Sequence, residues 1–236
     1  MAITLRSTRD AAADGIKVLV HGPAGAGKTT LCATTGAPTL IISAESGLLS
    51  LRQHDIPVIE VKSLDQLYEA YAFVAGPEGQ AFEWVCLDSI SEIAEVVLNN
   101  AKKQAKDVRQ AYGALAEQMT DLLRAFRDLP GRNVFFACKQ ERVKDEASGA
   151  LLYFPSLPGN MLKQGISYFF DEVFALRVET GDDGTPQRWL QTARDYNFEA
   201  KDRSGALDMF EPADLGAIAA KIRGIATAQP EQGQAA

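Results

Sequence analysis

The chain has 236 residues, of which 46% are hydrophobic and 23% charged, so it is neither wholly disordered nor short of material for a core. That length suits one large α/β unit better than two small ones. With 24 Lys+Arg against 31 Asp+Glu the formal charge is -7, which counts against a protein that holds nucleic acid over its whole surface, since phosphate affinity needs clustered cations.

No basic-then-apolar leader opens the sequence, and no apolar run approaches the roughly 18 residues of a membrane span. A cytoplasmic protein is expected. Cys32, Cys86 and Cys138 cannot all pair and each lies among apolar neighbours, which reads as buried reduced thiols. With only His21 and His54 as histidines, a zinc site is not expected.

In chain order, Ile16 to His21 (IKVLVH) reads as a strand, followed by a glycine-rich turn and an apolar segment from about Gly27. Thr39 to Ser43, Val58 to Val61 and Trp84 to Leu87 are further short strands. After Ser63 as N-cap, Leu64, Leu67, Tyr68, Tyr71 and Val74 recur at helical spacing. Ile90, Ile93, Ala94, Val97, Leu98 and Ala101 mark a second helix. A third is written by Tyr112, Leu115, Ala116, Met119, Leu122, Leu123 and Phe126, and Pro130-Gly131 stops it.

Val134 to Cys138 is another buried strand, and the rhythm changes after it. Residues 142 to 154 read as a hairpin turning at Ser148-Gly149, and Met161 to Phe169 as a short helix. Glu172 to Val178 and Arg188 to Thr192 read as two late strands. Pro212 is expected to start a last helix carrying Leu215, Ile218, Ala219 and Ile222. The tail from Ala226 lacks bulky apolar residues and is expected to be disordered. The sum is one α/β domain over residues 1–225 with a tail over 226–236: a largely parallel sheet, helices on both faces and a late antiparallel portion.

Gly22-Pro-Ala-Gly-Ala-Gly-Lys28-Thr29 fits G-x-x-x-x-G-K-[ST] between a strand and a helix, the context a phosphate loop requires. Its glycines let backbone N–H groups wrap phosphate at a helix N-terminus. Gly22, Pro23, Ala24, Gly25, Ala26, Gly27, Lys28, Thr29 and Thr30 are therefore candidates for binding ATP. Lys28 would reach the β- and γ-phosphates, and the Thr29 hydroxyl would ligate Mg2+. Asp88, ending the strand WVCL, is the candidate carboxylate on the metal side. Glu45, just after TLIIS, is the candidate that positions the attacking water, with Glu92 as a rival.

Several segments also resemble one family. TLIISAESGL resembles the strand-plus-glutamate segment of RecA-type recombinases, and WVCLDSISEI their magnesium-carboxylate strand running into a helix. AYGALAEQMTDLLRAFRDLPGRNVFFACKQER is similar to their long helix and sensor strand. PGNMLKQGISYFFDEVFAL is similar to the segment after their second DNA loop. The order agrees from about Lys17 to Val178, roughly two-thirds of the chain. The chain most resembles the minimal RecA-like ATPases of bacteriophages.

The resemblance implies a RecA-like P-loop NTPase core, ATP-dependent binding of single-stranded DNA, assembly into rings or filaments, and cooperation with a single-strand-binding protein. It places Lys28, Thr29 and Asp88 at nucleotide and magnesium positions and Glu45 at the water-activating one. Gln140, or Lys139 beside it, falls at the γ-phosphate sensor. The family's first DNA loop falls near Asn100 to Tyr112 and its second between Glu141 and Gly159. Arg194, Lys201 and Arg203 are candidates for cations that complete a neighbouring subunit's site, and Lys163 matches a lysine position.

Residues 99–109 carry Lys102, Lys103, Lys106 and Arg109 against the single acid Asp107. Lys139, Arg142 and Lys144 form a second group, diluted by Glu141, Asp145 and Glu146. Such a run is ordinarily a solvated face, and its position in the resemblance makes it a candidate DNA contact. Tyr112, Tyr153 and Phe154 could stack on bases or pack in the protein. The expected function is a DNA-dependent ATPase promoting single-strand annealing and recombination. The alternatives are a nucleotide-switched loader or assembly factor for a protein partner and, third, a small-molecule kinase.

Overall fold

The computed structural model describes residues 15–45, 47–159 and 165–224. One sheet runs through them in the order β10-β8-β7-β1-β5-β4-β2-β3. Its strands are β1 (Lys17–Gly22), β2 (Thr39–Ser43), β3 (Val58–Glu60), β4 (Trp84–Asp88), β5 (Asn133–Lys144), β6 (Leu151–Ser156), β7 (Glu172–Thr180), β8 (Pro186–Gln191), β9 (Lys201–Asp202) and β10 (Phe210–Pro212). β3, β2, β4, β5, β1 and β7 are mutually parallel. β8 pairs antiparallel with β7, β10 with β8, β6 with β5 and β9 with β7. The α/β architecture with a late antiparallel portion is the one expected from the strand–helix alternation.

Every residue of β1, β2 and β4 is buried, as a parallel sheet covered on both faces demands. Side chains alternate between two cores. Leu19, Val85, Leu87, Val134 and Phe136 face the helices α1 (Leu64–Ala75), α2 (Ile90–Gln104) and α3 (Val108–Arg127). Val18, Val20, Ile41, Trp84, Cys86 and Phe135 face Leu31, Cys32 and the last helix α4 (Leu215–Ile222). Cys32, Cys86 and Cys138 are buried and unpaired with one another.

Side-chain oxygens define where the helices start. Ser63 accepts from Gln66 N, Ser89 from Glu92 N, Asp107 from Gln110 N and Asp214 from Ala217 N, each satisfying an amide the helix leaves without a partner. The three-residue link between α2 and α3 forces an antiparallel helical hairpin. α2 begins at the C-terminal end of β4, and α3 ends beside the N-terminal end of β5. At about 1.5 Å per residue a helix of this length outruns a short strand, so the α2–α3 junction projects from the C-terminal end of the sheet.

One expectation is corrected and two are narrowed. The helix expected after the phosphate loop is a short 3-10 helix, Thr29–Ala33. Threonine hydroxyls return to the backbone there, Thr30 to Gly27 O at 2.7 Å and Thr34 to Leu31 O at 2.8 Å, which competes with helix propagation. Pro212 does not start the last helix; it closes the edge strand β10, where no ladder donor is needed, and Asp214 caps α4. The short helix expected over 161–169 is described only as a 3-10 helix, Ile166–Phe169. Residues 161–164, like the tail over 226–236, lie outside the described residues. Among the described residues no helix is long and apolar enough to cross a membrane.

One buried acid at the N-terminal end of the sheet sets a pH dependence. Burial pushes the Glu172 carboxyl up to about 8, helped by the adjacent Asp202. In the unfolded chain the same group ionises near 4.5. Between these values the unfolded chain has released a proton that the folded chain keeps, so this group costs stability as pH rises through that window. Glu172→Gln is expected to remove that loss: urea midpoints of wild type and variant should diverge from pH 5 to pH 8, with the variant ahead at pH 8. Parallel midpoints across the window would contradict it.

Candidate nucleotide-binding site

The parallel register brings the ends of β1, β4 and β2 to one edge of the sheet. Gly22 ends β1, paired with Lys139 of β5, while Asp88 ends β4, paired with Ser43 of β2. A cavity of about 600 Å³ opens there, lined by the phosphate loop, Glu45, Asp88, Lys139, Gln140 and Arg188. That volume lies within the usual range for small-molecule sites.

The loop's backbone requires glycine at two positions. Gly25 and Gly27 have φ of +75° and +104°, where a Cβ is strained. At Gly27 a Cβ would also stand 2.9 Å from Thr30 Oγ1 and 3.0 Å from Arg188 Nε. Lys28 folds back over the loop, its Nζ donating to Gly22 O at 2.8 Å and Pro23 O at 2.9 Å. Thr29 Oγ1 donates to Asp88 Oδ2 at 2.6 Å, so hydroxyl and carboxylate already converge. Ser89 Oγ donates to Glu45 Oε1 at 2.5 Å, which ties the candidate water-positioning glutamate to the residue after Asp88.

Around Asp88 the electrostatics leave room for positive charge. Burial raises the Asp88 pKa, and Glu45 raises it further against the opposing effects of Thr29 and Lys28. Burial likewise lowers the Lys28 pKa, against the pull of Glu45 and Asp88. Two carboxylates around one partly desolvated ammonium favour added cations. Among the described residues no cluster of three His, Cys, Asp or Glu could hold a metal alone. The donor set therefore fits Mg2+ held by one hydroxyl and one carboxylate together with nucleotide phosphates, the way this ion is ordinarily bound. The loop, Lys28 and Thr30 fit the phosphates themselves.

Lys139 and Gln140 both line the cavity but have different partners. Lys139 forms an ion pair with Glu92, which occupies that rival glutamate. Gln140 Nε2 lies 3.1 Å from His21 Nδ1, and His21 Nε2 lies 2.7 Å from Glu199 O. A carbonyl only accepts, so His21 carries its proton on Nε2 and its Nδ1 accepts a hydrogen bond from the Gln140 amide. Burial holds the His21 pKa down to about 4, which keeps this chain neutral. It fixes the Gln140 amide at the cavity wall.

The remaining candidates are spread around the molecule. Lys102, Lys103, Lys106 and Arg109 are exposed around the projecting α2–α3 junction. Arg142 and Lys144 are exposed on the outer half of β5, opposite Tyr153 and Leu151. Tyr112 is partly exposed beside Gly159, while Tyr153 stacks on Phe198 with centroids 4.4 Å apart and so has one face occupied. Arg194 is exposed, with Glu199 at 3.8 Å. Lys201 Nζ donates to the Ser167 and Phe170 carbonyls at 2.5 Å, and Arg203 pairs with Asp171 at 3.1 Å. Both lie beside the N-terminal end of β7, at the opposite end of the sheet from their own phosphate loop. Lys163 lies outside the described residues.

The sequence reading missed Arg188, Ser89 and His21 as site residues. Ser89 follows Asp88 directly and could have been found as an N-cap. Arg188 has no local signal, because it reaches the loop from a strand 162 residues away.

Gly27→Ala tests the loop geometry. The variant should keep its fold but lose nucleotide affinity at least tenfold in a fluorescent-nucleotide titration, because the added Cβ meets Thr30 and Arg188 at a positive φ. Unchanged affinity would contradict the loop's role.

A family model described as an AAA domain matches residues 14–204. No curated protein sequence matches the chain. Among solved structures, a RadB recombinase is similar over 79% of this chain and 87% of that chain, at 14% identity and a TM-score of 0.44, a likeness too loose to bear on function. The family match spans most of the chain and contains the whole phosphate loop with Asp88: the chain belongs to the AAA-domain family and is a nucleotide-binding P-loop protein.

Proposed function

We propose that the protein is a magnesium-dependent ATPase that binds single-stranded DNA as an oligomer and promotes strand annealing and homologous recombination alongside a single-strand-binding protein. The observation that carries this reading is the continuity of β5. Its inner half supplies Lys139 and Gln140 to the cavity, and its outer half carries Arg142 and Lys144 into the hairpin with β6. The α2–α3 junction, with Lys102, Lys103, Lys106 and Arg109, projects from the same end of the sheet. Local charge outweighs the acidic total there, since only nearby cations exchange counterions with a bound strand.

In this reading the loop amides and Lys28 hold the triphosphate. Mg2+ bound with Thr29 and Asp88 supplies charge neutralisation at the β- and γ-phosphates. Glu45, oriented by Ser89, positions and deprotonates the attacking water. Gln140 senses the γ-phosphate and passes its state along β5 to the hairpin. Arg194, Lys201 and Arg203 complete the site of a neighbouring subunit in a ring or filament, a heterologous contact in which one end of the sheet meets the other.

Two measurements test this. Glu45→Gln should leave ATP binding intact and slow turnover by about 100-fold or more, the usual contribution of a general base; normal turnover would remove Glu45 from the reaction. Neutralising Lys102, Lys103 and Lys106 together should reduce the slope of log affinity for single-stranded DNA against log salt by up to about 2, at ~0.7 per phosphate contact. An unchanged slope would take that cluster out of the DNA site.

A further inference from the structure

Arg188 lies on β8 opposite Val178 of β7, in a hairpin that rises past the end of β1 beside the phosphate loop. Leu176 of the same hairpin is so close that a Cβ on Gly22 would stand 3.2 Å from its own. From this wall the Arg188 side chain crosses to the loop, where Nε donates to Ala26 O at 2.9 Å. A guanidinium has five N–H donors, and that bond uses one. Among the described residues no carboxylate pairs with it: Glu179 lies by Arg177 at 3.9 Å and Asp183 accepts from Thr185. The terminal nitrogens belong to a side chain that lines the cavity.

The strand order decides which part of a nucleotide it meets. β8 and β7 lie on one side of β1, while β5 and β4 lie on the other, so Arg188 and Asp88 flank the loop from opposite sides. Thr29 and Asp88 would hold Mg2+ on their side of the loop with the terminal phosphates, which leaves the nucleoside end of the nucleotide for the far flank. Thr30 Oγ1 and Arg188 Nε are the two atoms nearest a Cβ placed on Gly27, so they stand together on that flank.

We infer that Arg188 is a nucleotide-binding residue, a cation supplied from within the same chain that contacts the phosphate nearest the nucleoside. Anchoring through Nε orients the remaining donors in advance, so little side-chain entropy is lost when phosphate arrives. The contact is shared by diphosphate and triphosphate, since both carry that phosphate, and it sets affinity rather than the rate of cleavage.

The test is equilibrium binding of ADP and ATP, by fluorescent-nucleotide competition, to wild type, Arg188→Ala and Arg188→Gln. Glutamine keeps an N–H donor for Ala26 O but carries no charge. Both variants should lose about tenfold in affinity for ADP and for ATP alike, ~1.4 kcal/mol, with the loss shrinking at high salt. On wild-type protein, ADP should protect Arg188 from phenylglyoxal, followed by peptide mass; this readout does not depend on how the variants fold. A loss confined to ATP would place the guanidinium at the γ-phosphate and overturn the assignment. Full affinity in Arg188→Gln, or no protection, would reduce Arg188 to a loop clamp and overturn it too. Wild type failing to bind nucleotide at all would be a different result, striking the family-level site and not this residue.

Discussion

The hydrogen bond from Thr29 to Asp88 joins residues 59 apart in sequence and depends on the ends of β1 and β4 meeting at one edge of the sheet. β1 and β4 do not pair with each other; β5 lies between them and pairs in parallel with both. A parallel register is the only one that sends all their C-terminal ends the same way, and it survives because both faces are covered by apolar layers. The loop glycines, the Lys28 ammonium and Glu45 all take their positions from that edge. An antiparallel or shifted β5 would separate hydroxyl from carboxylate and leave a phosphate loop with no metal-side partner.

A second polar chain is built on the same strands. Gln140, neutral His21 and the Glu199 carbonyl run from the cavity wall to the segment after β8, and that segment holds the hairpin. Tyr153 N donates to Asn197 O at 2.6 Å and Glu199 N to Tyr153 O at 2.9 Å, while Arg177 lies over the Phe198 ring. Buried polar chains of this kind hold one arrangement firmly because each member would be costly to leave unpaired. A change at Gln140 therefore has two covalent or hydrogen-bonded routes into the β5–β6 hairpin, along the strand and through His21. In the proposed function this is how nucleotide state reaches DNA.

Much of this was legible in the sequence where local chemistry decides. The strand–loop–helix context of Gly22 to Thr29, the strand ending at Asp88, the N-cap at Ser63 and the turn at Ser148-Gly149 are all written in neighbouring residues. Glu45 could be singled out because it follows a short apolar strand, the position where an open sheet presents ligands. What the sequence hid was tertiary. Arg188 looks like one charge in a polar hairpin until β8 is seen to border the loop. Nor does His21 reveal its partners, which come from β5 and from the segment after β8. The type of helix after the loop was not legible, because an apolar run reads alike in α and 3-10 helices, while threonine side-chain bonds to the backbone decide between them.

In the proposed function, nucleotide turnover at the Thr29–Asp88 edge is coupled to single-stranded DNA held at the same end of the sheet. Its most direct test is steady-state ATP turnover with magnesium at low salt, with and without mixed-sequence single-stranded DNA, with particle size followed alongside. The account predicts that DNA raises turnover and that particles grow when ATP and DNA are both present. Turnover indifferent to DNA, in particles whose size never changes, would contradict it.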